Sequence, residues 1–319
     1  MADFAAAAGA GAPSSSSATS GSGEGVGAAP STSSRGQVFD TTVNYVLATA
    51  HEEMNPRRRN TMEDVHRIVP SLPGAPEYSY FGVYDGHGGR QIVDFLEEGL
   101  EVNVSKELQE GDEAGILERL SRAFLITDMQ SRRLNITTSG ATAVCALLRT
   151  GKEGDKVTSK MLYVANVGDS RAVLLTKIDQ PADGGSGYLA RRLSFDHRAE
   201  DPGEQQRIKD AGGFITRGRV LGILAVSRSF GDHGMKDFVT AEPYTTETNL
   251  LTCCQGGDCP VLILACDGVW DVLSDQEAGD LVLERFRAEG PFSSAAQLLV
   301  DTAIQKGSAD NITAIVIFL

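Results

Sequence analysis

The run Tyr80-Phe-Gly-Val-Tyr84-Asp85-Gly86 decides how this chain is read: aromatic and β-branched residues that stop abruptly at a carboxylate and a glycine. Val261-Leu-Ile-Leu-Ala-Cys266-Asp267-Gly268 repeats the pattern. Both runs have strand composition and both put an acidic side chain where a core strand meets solvent. Three more carboxylates sit at comparable places. Glu63-Asp64 opens the strand-like segment Asp64–Val69, Asp169 follows Leu162-Tyr-Val-Ala-Asn-Val-Gly168, and Asp310 stands just before Ile312–Phe318. An isolated Asp-Gly after a strand reads as a turn. Five such sites in one domain read as a ligand set.

Working outward, Thr42–Ala50, Ala141–Leu148, Met161–Val167 and Arg171–Thr176 also have strand composition. Helical spacing begins at Gln91, with Ile92, Phe95, Leu96 and Leu100 on one face, and returns over Glu113–Leu134. Asp201-Pro202 with Glu204 predicts an N-cap, a first-position proline and a capping-box acid, with Gly212-Gly213 ending the helix. Ser274–Glu277 and Ser294–Gln297 predict two later helix starts, the second helix closed by Gly307. Residues 179–187 form a turn cluster. Strands outnumber helices without strict alternation, so the class is α+β.

Of the first 34 residues, 29 are Ala, Ser, Gly, Pro or Thr, and the only charges there are Asp3 and Glu24. Such a segment cannot bury enough apolar surface to offset its ordering entropy, so residues 1–34 are expected to be a disordered tail and 35–319 the folding unit. The net charge of −14 argues against nucleic acid and anionic membranes as partners. No apolar run reaches the roughly 20 residues of a membrane span, and the start lacks a basic, then apolar, secretory signal. Cys145 and Cys266 lie in apolar runs, and Cys253, Cys254 and Cys259 lack a fourth partner for zinc. A reduced, cytoplasmic protein is expected. The basic Arg57-Arg58-Arg59 could extend the location to the nucleus.

The candidate ligands are all oxygen donors, which favours Mg²⁺ or Mn²⁺ over Zn²⁺ or copper. Converging carboxylates repel one another unless cations neutralise them. Two such ions can share a water, lower its pKa and clamp an in-line displacement at phosphorus. Other routes lack their motifs: there is no P-loop, no G-x-S-x-G elbow, no Asp-x-Asp after a strand and no Cys spaced to an Arg for a cysteine–phosphate intermediate.

Arg59-Asn-Thr-Met-Glu63-Asp64, Val83-Tyr-Asp85-Gly86-His87-Gly88-Gly89, Gly140-Ala-Thr-Ala143, Ala165-Asn-Val-Gly-Asp169-Ser-Arg171, Ala265-Cys-Asp267-Gly268-Val-Trp270-Asp271 and Asp310-Asn311 occur in this order. Together with Asp196-His197 through Gly212-Gly213 and Leu224 through Asp232, they resemble the metal-dependent protein phosphatase family (PPM, type 2C), most closely its small fungal and protist members. The likeness spans Arg59 to the C-terminus.

This resemblance implies two antiparallel β-sheets packed face to face, flanked by helices in a four-layer αββα sandwich, with metals in a cleft at one edge. It implies a serine/threonine phosphatase that hydrolyses phosphoserine and phosphothreonine by attack of a water bridging two Mn²⁺ or Mg²⁺ ions. Asp85 would bridge the ions and the Gly86 carbonyl would bind one of them. Asp267 and Asp310 would complete the coordination of the second ion, while Glu63 and Asp64 hold metal-bound waters. Arg59 would bind the substrate phosphate through its fork, and His87 would protonate the departing oxygen. Asp169 with Asp271 would supply a weaker third metal site. The implied partners are phosphorylated proteins, including kinases of stress (MAP kinase) cascades that the enzyme would restrain, and a monomer is expected. Leu221 departs from the family, whose members often carry Asn there, in a segment beside the flap near the site. The competing reading is a catalytically inactive, phosphoprotein-binding pseudophosphatase. Its mark would be a lost ligand, and every ligand position here is filled.

Overall fold

A computed structural model describes residues 34–41, 46–154, 156–177, 187–253 and 261–319. The tail through residue 33, residues 179–186 of the turn cluster, and Cys254 and Cys259 lie outside the described residues.

The first sheet consists of β1 (Ser34–Thr41), β2 (Val46–Glu53), β7 (Arg171–Lys177), β8 (Tyr188–Arg192), β13 (Val261–Ala265) and β14 (Ile312–Phe318), ordered β1-β2-β14-β13-β7-β8. The second contains β3 (Asp64–Val69), β4 (Tyr78–His87), β5 (Gly140–Glu153), β6 (Lys156–Val167) and β12 (Tyr244–Asn249), ordered β12-β6-β5-β4-β3, with β11 (Phe230–Gly231) paired to the start of β5. All these pairings are antiparallel. A small hairpin, β9 (Ile215–Thr216) and β10 (Arg219–Val220), stands apart. The helices are α1 (Gln91–Gln109), α2 (Ile116–Arg132), α3 (Pro202–Asp210), α4 (Leu250–Cys253), α5 (Asp267–Trp270), α6 (Asp275–Glu289) and α7 (Ala295–Gln305).

Three apolar layers hold these elements together. Leu96, Leu100 and Phe124 of α1 and α2 pack on Tyr80 and Tyr84 of the second sheet. Phe81, Val83 and Val144 meet Leu174, Leu264 and Ile315 between the sheets. Val282, Leu299 and Val300 of α6 and α7 cover Val173, Ile263 and Val316. The result is the αββα sandwich expected from the resemblance. Successive residues of β4 enter different layers, Tyr80 one and Phe81 the next, because side chains alternate across a strand. Strands buried on both faces therefore read as unbroken apolar runs.

Several local expectations change. Of the strand expected over Thr42–Ala50, the first four residues lie outside the described residues and the rest belongs to β2, while β1, which carries little strand signature, pairs with β2 from Ser34↔Glu53 to Thr41↔Val46. Asp201 caps α3 through Gly203 N and Glu204 N at 2.8 and 3.1 Å, but the Glu204 side chain turns to Arg207 and Arg228 and closes no capping box. Ser274 and Glu277 do form a box, whereas Ser294 makes no side-chain cap. Neither Asp-Gly is a turn: Asp85-Gly86 stays within β4, and Asp267-Gly268 begins α5.

Candidate active site

The two Asp-Gly glycines explain how the carboxylates converge. A Cβ on Gly86 would lie 2.4 Å from the Glu63 carbonyl, and one on Gly268 would lie 2.1 Å from the Asn311 carbonyl. Only glycine lets these backbones approach so closely. The contacts bring Glu63-Asp64 onto Asp85 and Asp310-Asn311 onto Asp267. Asn311 then laces the segments: its Nδ2 donates to Met54 O and Thr61 O at 2.8 and 2.9 Å, and its Oδ1 accepts from Glu63 N at 2.8 Å. Asn55 Nδ2 donates to Ser308 O and Asp310 O, fixing the same loop from the other side.

An open cleft of about 180 Å³ results, lined by Arg59, Asp85, Gly86, His87, Asp169, Asp267 and Asp310 from the expected set. Arg219 and Leu224–Val226 close it from the flap side. Asp64 sits beneath, opposite Asp85 in the β3–β4 register, and Glu63 lies half-buried at the approach. Asp271 lines a second cavity of about 280 Å³ that shares Asp169, Asp267 and Arg219 with the cleft.

The electrostatics are those of a site that needs cations. Burial, then the charges of Asp64, Asp267, Asp169 and Asp310, raises the Asp85 carboxyl well above its usual range. Asp267 is raised in the same way by burial and then by Asp169 and Asp310. Burial is also the main cause that pushes Asp64 up to about 7, and its Oδ2 is buried without a hydrogen-bond partner. Ligand atoms of Asp64, Asp85 and Cys266 lie within 4.8 Å of one another. The Cys266 thiol, however, is held protonated by burial and by Asp64 and Asp85, so the donor set is made of hard oxygens. An orphaned carboxylate oxygen among mutually repelling acids fits divalent ions of the Mg²⁺ or Mn²⁺ type.

The expected third metal position fits less well. Arg198 Nε lies 3.2 Å from Asp169 Oδ2, and its Nη2 donates to Asp271 Oδ1 at 2.9 Å, so a guanidinium already joins the two carboxylates. Arg59 is paired with Asp310 and half-exposed at the mouth of the cleft. His87 Nε2 donates to Asp232 at 2.8 Å. Asp232 is buried, takes a second hydrogen bond from Ser229 Oγ and has φ +47°, a backbone state uncommon outside glycine.

Asp232, Arg198 and Arg219 are the residues that motif reading left without a role. Arg198 and Asp232 lie in quoted stretches and Arg219 stands two positions before Leu221, but Asp232 is 145 positions from His87, and no spacing rule joins them. Arg171, inside another quoted stretch, serves as a pin: it binds Asp196 and Asp275 and lies over the Trp270 ring. His197 is buried and bound to the Gly168 carbonyl, and His66 is buried against Glu52, in keeping with structural roles. At the flap, Leu221 has φ +50° and Arg217 φ +52°. The family's Asn suits that left-handed conformation at 221, and leucine strains it.

An antiparallel sandwich with repelling, buried carboxylates at one edge fits an enzyme that binds divalent metal. The family model for protein phosphatase 2C matches residues 50–312. Protein phosphatase 2C homolog 1 of Saccharomyces cerevisiae is 35% identical over 286 residues, covering 87% of this chain and 94% of the relative. Its Schizosaccharomyces pombe namesake is also 35% identical, covering 86% and 73%. Among solved structures, a serine-threonine phosphatase 2C from Toxoplasma gondii superposes with a TM-score of 0.70 at 21% identity, covering 89% of this chain and 98% of that one, a likeness of fold. The chain belongs to the protein phosphatase 2C family and is a metal-dependent serine/threonine protein phosphatase.

Proposed function

We propose that this phosphatase uses two divalent ions, Mn²⁺ or Mg²⁺, held by Asp85, the Gly86 carbonyl, Asp267 and Asp310, with Glu63 and Asp64 acting through bound water. When bound, the ions would supply an activated water and neutralise charge on the phosphoryl oxygens. The chain's own residues do the rest. Arg59 exchanges its contact with Asp310 for the substrate phosphate, where its fork can bind two oxygens. Because a carboxylate only accepts, His87 Nε2 carries the hydrogen shared with Asp232, and the ring, when protonated on both nitrogens, gives its Nδ1 hydrogen to the departing Ser or Thr oxygen and is left neutral. The flap residues Arg219 and Leu224–Val226 limit access of bulk water to the reacting group.

The observation that carries this reading is the convergence of Asp64, Asp85, Asp267 and Asp310, whose mutual repulsion cations would relieve. The substrates in this reading are phosphorylated proteins, with kinases of stress cascades among them, met by a monomer in the cytoplasm and nucleus. The catalytic unit in this reading begins with β1, with residues 1–33 outside it. The test is phosphate release from a phosphothreonine peptide by metal-stripped protein, then with Mn²⁺ or Mg²⁺, beside Asp267→Asn. Metal-dependent release that the variant loses is expected. No release by folded protein with either ion would instead favour a phosphoprotein-binding role.

A further inference from the structure

The guanidinium between Asp169 and Asp271 is not a loose surface arm. Arg198 lies in a segment fixed on both sides: His197 N donates to Gly168 O at 2.9 Å, beside Asp169, and Arg198 bridges Val226 at the root of the flap. The neighbouring Asp196 is held in turn by Arg171 and Arg192. The backbone therefore aims Arg198 at a fixed target. That target, Asp169, is a buried carboxylate shared by the cleft and the second cavity. Burial raises its carboxyl, and Arg198 is the largest influence opposing that rise. The contact is incomplete: Arg198 Nε is buried and, although 3.2 Å from the carboxylate, makes no aligned hydrogen bond. A misaligned guanidinium neutralises a carboxylate without saturating it, and a divalent ion would satisfy the same oxygens more fully.

We propose that Arg198 is the resident cation of the Asp169–Asp271 pair, so that this protein takes up two divalent ions tightly and admits a third only by displacing the guanidinium. The inference rests on the two-ion reading of the cleft. The fixed positive charge spares Asp169 the penalty of a buried, unpaired carboxylate whenever metal is scarce. It also links ion occupancy to the flap, because Arg198 and Val226 share one bridge.

The test is Mn²⁺ binding to metal-stripped protein, followed by equilibrium dialysis and by the electron spin resonance signal of free Mn²⁺, with thermal melting to verify folding. Wild type is expected to bind two ions tightly. Arg198→Gln, which keeps length without charge, should bind one more, with at least a tenfold gain in affinity for that ion. Arg198→Lys, which keeps the charge, should remain close to wild type, and adding Asp271→Asn to Arg198→Gln should abolish the gain. If the Gln substitution impairs folding, Arg198→Met serves the same comparison. Equal stoichiometry and affinity in wild type and the neutral variants would overturn the inference while leaving the two-ion cleft intact, and so would a gain that persists with Asp271→Asn. A folded wild type that binds no Mn²⁺ would overturn the cleft reading and this inference together.

Discussion

Glu204 and Asp85 are both buried carboxylates, one at the base of the flap and one at the metal edge, and they are held in opposite ways. Burial alone would raise the Glu204 carboxyl, but Arg228, Arg207 and Ser227 overcome that and bring it to about 2. Arg228 grips it at 2.7 Å, Arg207 at 2.9 Å and Ser227 Oγ at 2.7 Å. Asp85 has no basic partner among the influences on its carboxyl, which are burial and four other carboxylates. One region is complete within the chain, and the other is built to be completed by something that binds. Glu204 arrives with its counter-charges, whereas Asp85 is left wanting them.

Breaking the functional side should have the largest effect. Asp85→Asn should lower turnover about a thousandfold or more, measured as phosphate release. The same variant should melt no lower than wild type when both are stripped of metal, because a repelling charge is gone. Breaking the structural side should reverse this pattern. Glu204→Gln leaves two guanidinium groups short of their partner, and a cost of about 3 kcal/mol is expected in urea unfolding. A variant that lost activity at unchanged stability would show that Glu204 belongs to the site instead.

Asp232 stands between the two kinds, since it is satisfied by His87 and Ser229 yet adjoins the chemistry. Asp232→Asn should slow a phosphothreonine peptide by about a hundredfold. An aryl phosphate, whose leaving group needs no proton, should be slowed far less. Equal loss on both substrates would make Asp232 a packing residue only.

The pH dependence separates the regions again. Asp64 has a folded pKa near 7, above its unfolded 3.8, so its contribution to metal-free stability is greatest in acid and is lost as pH rises from about 4 to 7. Glu204 has a folded pKa near 2, below its unfolded 4.5, so its contribution is present above about 4.5 and is lost as pH falls toward 2. Metal-free melting temperatures should therefore drop between pH 4 and 7, and saturating Mn²⁺ should flatten that drop. The smallest effect is expected at the flap. Leu221→Asn should stabilise the protein by about 1 kcal/mol by relieving the left-handed leucine, as thermal melting would record.

Much of this was legible in the sequence because strands buried on both faces write themselves as apolar runs, and Asp85, Asp267 and Asp310 sit at their ends. The likeness of ordered motifs supplied the sandwich that periodicity alone left at α+β. What could not be read was pairing at a distance: that Asp232 meets His87, that Arg198 fills the space between Asp169 and Asp271, and that Glu204 abandons its helix cap for Arg228. Local rules describe a side chain by its neighbours in sequence. Each of these is decided by a partner that only the folded backbone brings near. Strand β1 escaped for a related reason, since its register with β2 owes little to its own composition.

The clasp made by Asn311 also has a consequence for how the enzyme is born. Its amide ties positions as much as 257 residues apart, and β14 lies between β2 and β13 in the middle of its sheet. A chain emerging from the ribosome thus carries Asp85 and Asp267 well before it can hold them in place. Until residues 310–318 are free to insert, the first sheet is open and the ion-binding edge does not exist. Synthesis of the domain is therefore silent until nearly its end, and a chain truncated ahead of β14 would be a substrate for proteolysis rather than a weak phosphatase.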